Sequence, residues 1–277
     1  MTYCVGLKLN QGLVFMSDTL TNAGIDNVNT NKKMFFWSNK NERSVVLLTS
    51  GNLATSQATI NLINEAIDNP NNDNDNILKT KSMFQVARIF GKILRNISNE
   101  YSSDGQVGEN PYSSTLILGG QIAGQEHRLF LIYPEGNFIE ASEDQSFFQI
   151  GETKYGKPII VRALEKHSNF GDAIKLLLVS FDSTMKANVS VGMPIDVCTL
   201  KKDDFEFNNQ IRIEKNDPYF EKISNSWGEA LKKSIKELPP FNFKFFVRIM
   251  VSWKLKIKAF TGNFIILSII CMINILG

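Results

Sequence analysis

The order in which two periodicities alternate along this chain limits its fold more than any single residue does. Thr2–Leu9 and Leu13–Ser17 read as strands on either side of the turn Asn10-Gln11-Gly12, the pattern of a β-hairpin. A polar loop rich in Asn and Thr spans 19–32. A short strand, Met34–Trp37, and a longer buried one, Arg43–Thr49, follow. The connections are too short for crossover helices, so these four strands are expected to be antiparallel neighbours. Residues 52–68 then switch to helical spacing, with Leu53, Ala54, Ile60, Ile63, Ala66 and Ile67 as the apolar positions. Beyond the polar loop Asn69–Asn76, a second helix is expected over 81–101, its apolar residues on one face. Strands return at 114–119, 128–133, 138–141 and 147–150, helices near 154–165 and 170–185, and strands at 189–200 and 209–214. A last helix runs from 218 to 237 and stops at Pro239-Pro240. Blocks in this order predict an α+β fold in which two antiparallel sheets pack face to face with helices outside.

The chain has 277 residues, enough for one or two domains. Its 43% hydrophobic and 21% charged residues exclude a disordered chain, a collagen-like fibre and a polytopic membrane protein. A net charge of +2 gives no electrostatic case for nucleic-acid binding. The charge is uneven: Lys244, Arg248, Lys254, Lys256 and Lys258 put +5 into residues 239–277, which leaves −3 for the rest. Cys4, Cys198 and Cys271 are odd in number and scattered, so neither a disulfide framework nor a metal-ligand spacing is present. The two histidines, His127 and His167, are too few for zinc chemistry built on several His ligands, and neither lies near a nucleophile-elbow pattern. Both read as surface residues. No basic region followed by an apolar run opens the chain, so no secretory signal is read and the cytosol is the expected compartment.

The end of the chain has another character. Residues 241–258 are basic and aromatic, and the 19 residues 259–277 are uncharged and almost wholly apolar. That length is about enough to span a bilayer, and the three lysines before it suit a cytoplasmic flank. Gly262, Asn263 and Asn274 weaken a spanning helix. The segment reads either as a tail anchor with membrane contact or as an atypical extension without function. The expected division is therefore a domain over 2–238 and a tail over 239–277.

Three features could carry chemistry. Thr2 would become the first residue once Met1 is removed, as is usual before a small side chain. A terminal Thr holds a hydroxyl and its own base, because an α-amine of pKa about 7.7–8.0 is partly neutral at cellular pH. Asp18 ends the second strand and so lies at the same sheet end as Thr2 if the hairpin forms. Lys33 precedes the apolar run Met34-Phe35-Phe36. A lysine beside Thr2 would repel the ammonium and stabilise an alkoxide, and Asp18 would hold that lysine. Gly51 ends a buried strand and opens a helix, where a backbone N–H can serve a developing oxyanion. Taken singly, each reads better as an ordinary residue. Thr2 permits Met removal, Asp18 and Lys33 are loop residues, and Gly51 makes a strand-to-helix turn.

Together these segments resemble a proteasome-type β-subunit: Thr2–Gly6, Gly12–Asp18, Thr19–Gly24, Lys33 before its strand, and Leu48–Gln57. The stretches Ser17–Val28, Gly51–Gln57, Gly151–Pro158 and Asp182–Asp196 resemble most the Anbu proteins, bacterial homologues of the proteasome. The resemblance spans residues 2 to about 240. It implies an N-terminal nucleophile hydrolase with a four-layer αββα sandwich. By position, Thr2 matches the nucleophile, Asp18 and Lys33 its charged partners, and Gly51 the oxyanion-hole glycine. Thr153 matches a serine that supports the terminal amine, and Asp182 a second supporting aspartate. Two departures stand out. The Asp18–Lys33 loop is one residue shorter than the common spacing, which keeps Lys32 as an alternative. Met185 occupies the position of a further serine, for which Ser183 or Thr184 could substitute.

The implied activity is a threonine peptidase, hydrolysing a peptide or protein substrate by acyl transfer to Thr2, with Met removal as the only activation step. No cofactor or metal is implied. A homo-oligomer, as a ring or an open helical assembly, is implied, and an ATP-dependent partner would feed it, since the chain has no G-x-x-x-x-G-K-[ST] motif of its own. Two alternatives remain at this stage. One is a different amidohydrolase or transferase on the same Thr2. The other is a non-catalytic assembly subunit, against which the joint presence of Thr2, Asp18 and Lys33 argues.

Overall fold

Successive side chains of a strand point to opposite faces, so a strand apolar on both sides must be covered on both sides. In β1 (Tyr3–Leu9) the residues Tyr3, Val5, Leu7 and Leu9 enter one core while Cys4 enters another. A computed structural model describes residues 2–22, 28–69, 75–101, 111–207 and 209–242. In it β1 lies inside a five-stranded antiparallel sheet. The order is β10 (Phe147–Gly151), β1, β2 (Gly12–Asp18), β11 (Ile195–Lys201) and β12 (Asn209–Ile213). The second five-stranded sheet runs β5 (Met34–Asn39), β6 (Arg43–Gly51), β7 (Ser114–Ile122), β8 (Arg128–Ile132) and β9 (Phe138–Glu140), again antiparallel throughout.

The same alternation builds the layers. On β6, Val46 and Leu48 join Cys4, Leu13, Phe15, Ile117, Leu129 and Phe148 in a core shared by both sheets. Val45 and Leu47 turn the other way, onto α1 (Leu53–Asp68) and α2 (Met83–Tyr101). The outer face of the first sheet packs on α3 (Lys157–Ala163) and α4 (Phe170–Ala187), with Phe220 from the start of α5 (Pro218–Glu237). Helices, sheet, sheet, helices is the αββα sandwich. Two units divide the chain, Met1–Trp227 and Gly228–Gly277. Every described strand, all three cores and the site described below lie in the first. Of the second unit, the described part is the end of α5, where Lys232 pairs with Glu229 at 2.8 Å, and the residues up to Asn242. The tail segment 259–277 lies outside the described residues; among those described, no helix is long and apolar enough to cross a membrane.

Three expectations need correction. The first four sequence strands do not form one sheet. β2 pairs with β1 and β11, whereas β5 pairs with β6 in the other sheet. The connection over 19–33 is not all loop: it holds the short hairpin of β3 (Leu20–Asn22) and β4 (Val28–Thr30), and it carries the chain from one sheet to the other. His127 is not a surface residue. It is 4% exposed, and its Nε2–H donates to the Leu9 carbonyl at 2.8 Å, while its buried Nδ1 has no hydrogen-bond partner among the described residues. His167 is exposed, as its sequence context implied.

Candidate active site

The β1–β2 register sets Cys4 against Ser17, and one step further it brings the start of β1 to Asp18. Asp18 is fully buried. Its Oδ1 accepts the Tyr3 backbone N–H at 2.9 Å and the Lys33 ammonium at 2.7 Å. One carboxylate oxygen thus fixes both the peptide that follows Thr2 and the charge of Lys33. Lys33, 5% exposed, also donates to the Leu20 carbonyl at 2.6 Å. Its own carbonyl accepts the Thr49 N–H at 3.0 Å, which ties it to β6. Burial raises the Asp18 carboxyl above its usual range, and the charge and hydrogen bond of Lys33 with the Tyr3 N–H oppose that rise. Lys33 is therefore the lysine brought to Asp18. Lys32 points away, its ammonium 5.7 Å from the ring centre of Phe35 and 5.1 Å from that of Phe36.

Thr2 is half-buried, and its carbonyl accepts the Glu152 backbone N–H at 2.6 Å. Tyr3 stands opposite Gly151, whose φ of 84° is open to glycine, and a Cβ there would overlap the Thr2 carbonyl and come within 3.1 Å of Ser50 Oγ. Gly51 also has positive φ, 114°, and a Cβ on it would lie 2.5 Å from the Ser113 carbonyl. Glycine is required there by the backbone itself, at the end of β6 where Asn52 caps α1 through the Thr55 N–H at 3.1 Å. Ser50, next to Gly51 on β6, thus lies beside Gly151, the strand partner of Tyr3.

Two further predicted residues take different places. Thr153 is half-buried, one residue beyond the group that holds Thr2. The residue in contact is Glu152, which sequence reasoning passed over. It is 6% exposed, its Oε2 accepts Asn188 Nδ2 at 2.9 Å, and its Oε1 accepts the Lys154 N–H at 3.2 Å. The signal that could have found it is the Gly151-Glu152 pair directly after a strand, a turn that needs glycine. Asp182 is 4% exposed on α4, and its Oδ2 accepts the Lys186 ammonium at 3.0 Å. Lys186 reaches Ser224 Oγ as well, at 2.9 Å. Thr184 gives its hydroxyl proton to the Ser180 carbonyl at 2.8 Å, so its hydroxyl belongs to the helix. Ser180 Oγ in turn meets the Tyr3 hydroxyl at 2.7 Å, and Gln149 donates to that hydroxyl at 2.6 Å. Burial pushes the Tyr3 phenol up to about 12, and burial, then the charge of Asp18, holds the Cys4 thiol well above its normal value. Both stay protonated at neutral pH. A pocket of about 420 Å³ opens beside this cluster, between Lys32, Phe35 and Thr49 on one side and the first turns of α1 on the other. A larger cleft of about 760 Å³ on α2, among Lys79, Arg88 and Arg95, shares no residue with it.

The proteasome-subunit family model matches residues 2–200. The chain belongs to the proteasome family. Solved Anbu structures place it more closely. That of the Gly-1 mutant from Hyphomicrobium sp. strain MC1 is 44% identical with a TM-score of 0.82, covering 87% of this chain and 100% of its own. Anbu (ancestral beta-subunit) from Yersinia bercovieri is 40% identical with a TM-score of 0.81 over 87% and 100% of the two chains. Anbu from Pseudomonas aeruginosa, solved as a helical assembly, is 38% identical with a TM-score of 0.81 over 88% and 99%. Comparison with curated proteins gives no match. The chain is thus a proteasome-family protein of the Anbu type, and its sandwich is the proteasome fold.

Proposed function

We propose that this protein is a threonine-type peptidase whose nucleophile is the hydroxyl of Thr2, freed as the first residue by removal of Met1. The observation that carries the reading is the buried Asp18 oxygen, which holds the Thr2–Tyr3 peptide and the Lys33 ammonium together. Charge-assisted bonds of this kind are strong and directional, and a buried ion pair is costly to keep without a purpose. With its α-amine free, Thr2 has a base within its own residue. The amine takes the Oγ proton as Oγ bonds to an amide carbonyl carbon, while Lys33 favours the developing alkoxide. The proton passes to the leaving nitrogen as the C–N bond breaks. Water, activated by the same amine, then hydrolyses the ester and restores Thr2. In this reading the N–H at Gly51 serves the oxyanion, since only glycine tolerates that backbone and close approach. In the same reading Thr153 and Asp182 support the terminal amine, and the Glu152 backbone N–H seats the Thr2 carbonyl.

The likeness to an Anbu protein solved as a helical assembly supports a homo-oligomer, a ring or an open helical turn; the same reading takes a peptide or protein as substrate and an ATP-dependent partner as the feeder. A cytoplasmic particle fits this reading, with residues 239–277 a dispensable extension. The deciding experiment is an intact-mass spectrum before and after a threonine-directed β-lactone. Loss of Met1 and one stoichiometric adduct are expected, and Thr2→Ala should abolish the adduct. Met1 removed with no adduct would reject the nucleophile.

A further inference from the structure

Lys32 has no part in the charged cluster, yet it lies at the edge of the pocket beside it. That pocket, about 420 Å³, is lined by Phe35, Thr49, Leu53 and Ser56, with amides from Asn31, Gln57 and Asn61 nearer the solvent. Lys32 is the one charged residue among the described residues that line it. Its ammonium stands 5.7 Å and 5.1 Å from two ring centres, a geometry that holds a flexible cation in place. Among the described residues it forms no ion pair, whereas its neighbour Lys33 is committed to Asp18. The pocket borders Thr49, whose N–H is bound to Lys33 and whose carbonyl accepts the Cys4 thiol at 3.7 Å. Thr49 thus joins the pocket to Lys33 and to Cys4, two residues along β1 from Thr2.

We infer that Lys32 makes this pocket select an acidic side chain on the substrate residue whose carbonyl Thr2 attacks. The inference rests on the acyl-transfer reading above and deepens it by naming a substrate class. A carboxylate entering the pocket meets a cation already positioned over Phe35 and Phe36, so little side-chain freedom is lost on pairing. The amide side chains at the rim can donate to its second oxygen. A lysine or arginine side chain meets like charge in a partly enclosed space. An exposed pair is worth up to about a factor of five, and more where water is excluded. Salt should weaken the preference, since the mouth of the pocket is open to solvent.

The test uses peptide vinyl sulfones that differ only in the side chain at that residue: Glu, Gln, Leu or Lys. The labelling rate of Thr2 is read by intact mass on the full-length protein. Glu is expected to label about five-fold faster than Gln and to lead Lys by more. Lys32→Gln should level the Glu and Gln probes, and Lys32→Glu should reverse the order of the Glu and Lys probes. Unchanged thermal midpoints would show that both variants fold. Labelling whose order survives the charge reversal would overturn the inference while leaving the nucleophile standing. No labelling by any probe on protein with Thr2 exposed would instead overturn the nucleophile, and this inference with it.

Discussion

Asp18 carries the tightest coupling between chemistry and stability in the molecule. Replacing it with Asn leaves the 5%-exposed Lys33 without its counter-charge. Asp18→Asn should lower the unfolding free energy by about 3 kcal/mol, measured by urea denaturation at pH 7. The double change Asp18→Asn with Lys33→Met removes the stranded charge as well and should recover much of that loss. His127 gives a pH signature of opposite origin. Burial lowers its pKa below 6.5, so the unfolded chain binds that proton more tightly. The stability due to the neutral ring is complete above pH 6.5 and drains away as the pH falls through the lower folded value. His127→Gln keeps a donor for the Leu9 carbonyl but does not titrate. Its thermal midpoint should therefore fall less steeply than that of the parent below pH 6.5. Neither point is legible in a sequence. Asp18 could be placed near Thr2 from the hairpin alone, but its burial comes from strands far along the chain. His127 looked like a surface residue because only the tertiary fold brings the Leu9 carbonyl to it.

Among the elements, strands with clean alternation and helices with one apolar face were readable. β1, β2 and β6 lie close to their expected bounds, and the last helix spans 218–237 as read. What escaped were elements whose signal is too short. β3 and β4 have three residues each, so no period can be seen in them, and the tract around them reads as loop. Partner choice escaped for the same reason, since a short connection permits β2 and β5 to pair but does not compel it. In the site, a backbone contact escaped as well: the Glu152 N–H holds the Thr2 carbonyl, and no side-chain pattern announces a main-chain donor. Glu152→Ala keeps that N–H and loses only the side-chain bonds to Asn188 and Lys154, so it should slow β-lactone labelling of Thr2 little, whereas Glu152→Pro removes the N–H and should slow labelling by about ten-fold. Close approach between elements supplies another test. Gly91 sits inside α2, where alanine is normally better by about 1 kcal/mol. Here an added Cβ would overlap the Gly136 carbonyl in the turn between β8 and β9. Gly91→Ala should then lower stability by about 2 kcal/mol, read from the thermal midpoint, against the helix-propensity rule.

At the scale of the whole molecule, the order of strand and helix blocks was enough to anticipate two sheets back to back, because an αββα arrangement is the way such blocks hide every apolar face. The division of strands between the sheets was not, since it depends on β10 and β11 joining β1 and β2 from the far half of the chain. All three cores draw their residues from the span between Tyr3 and Ile223. Deleting residues 239–277 should accordingly leave the thermal midpoint and Thr2 labelling unchanged, and any change in particle size by light scattering would assign the tail a part in assembly. The Thr2 carbonyl is already engaged by the Glu152 N–H where β1 meets β10. A fusion partner or purification tag spliced ahead of Thr2 would keep that ladder and the fold, yet it would turn the amine into an amide. If Thr2 is the nucleophile proposed above, such a protein would be well behaved on a column yet take no β-lactone, so affinity handles belong at the opposite terminus, or must be cleaved to leave threonine first.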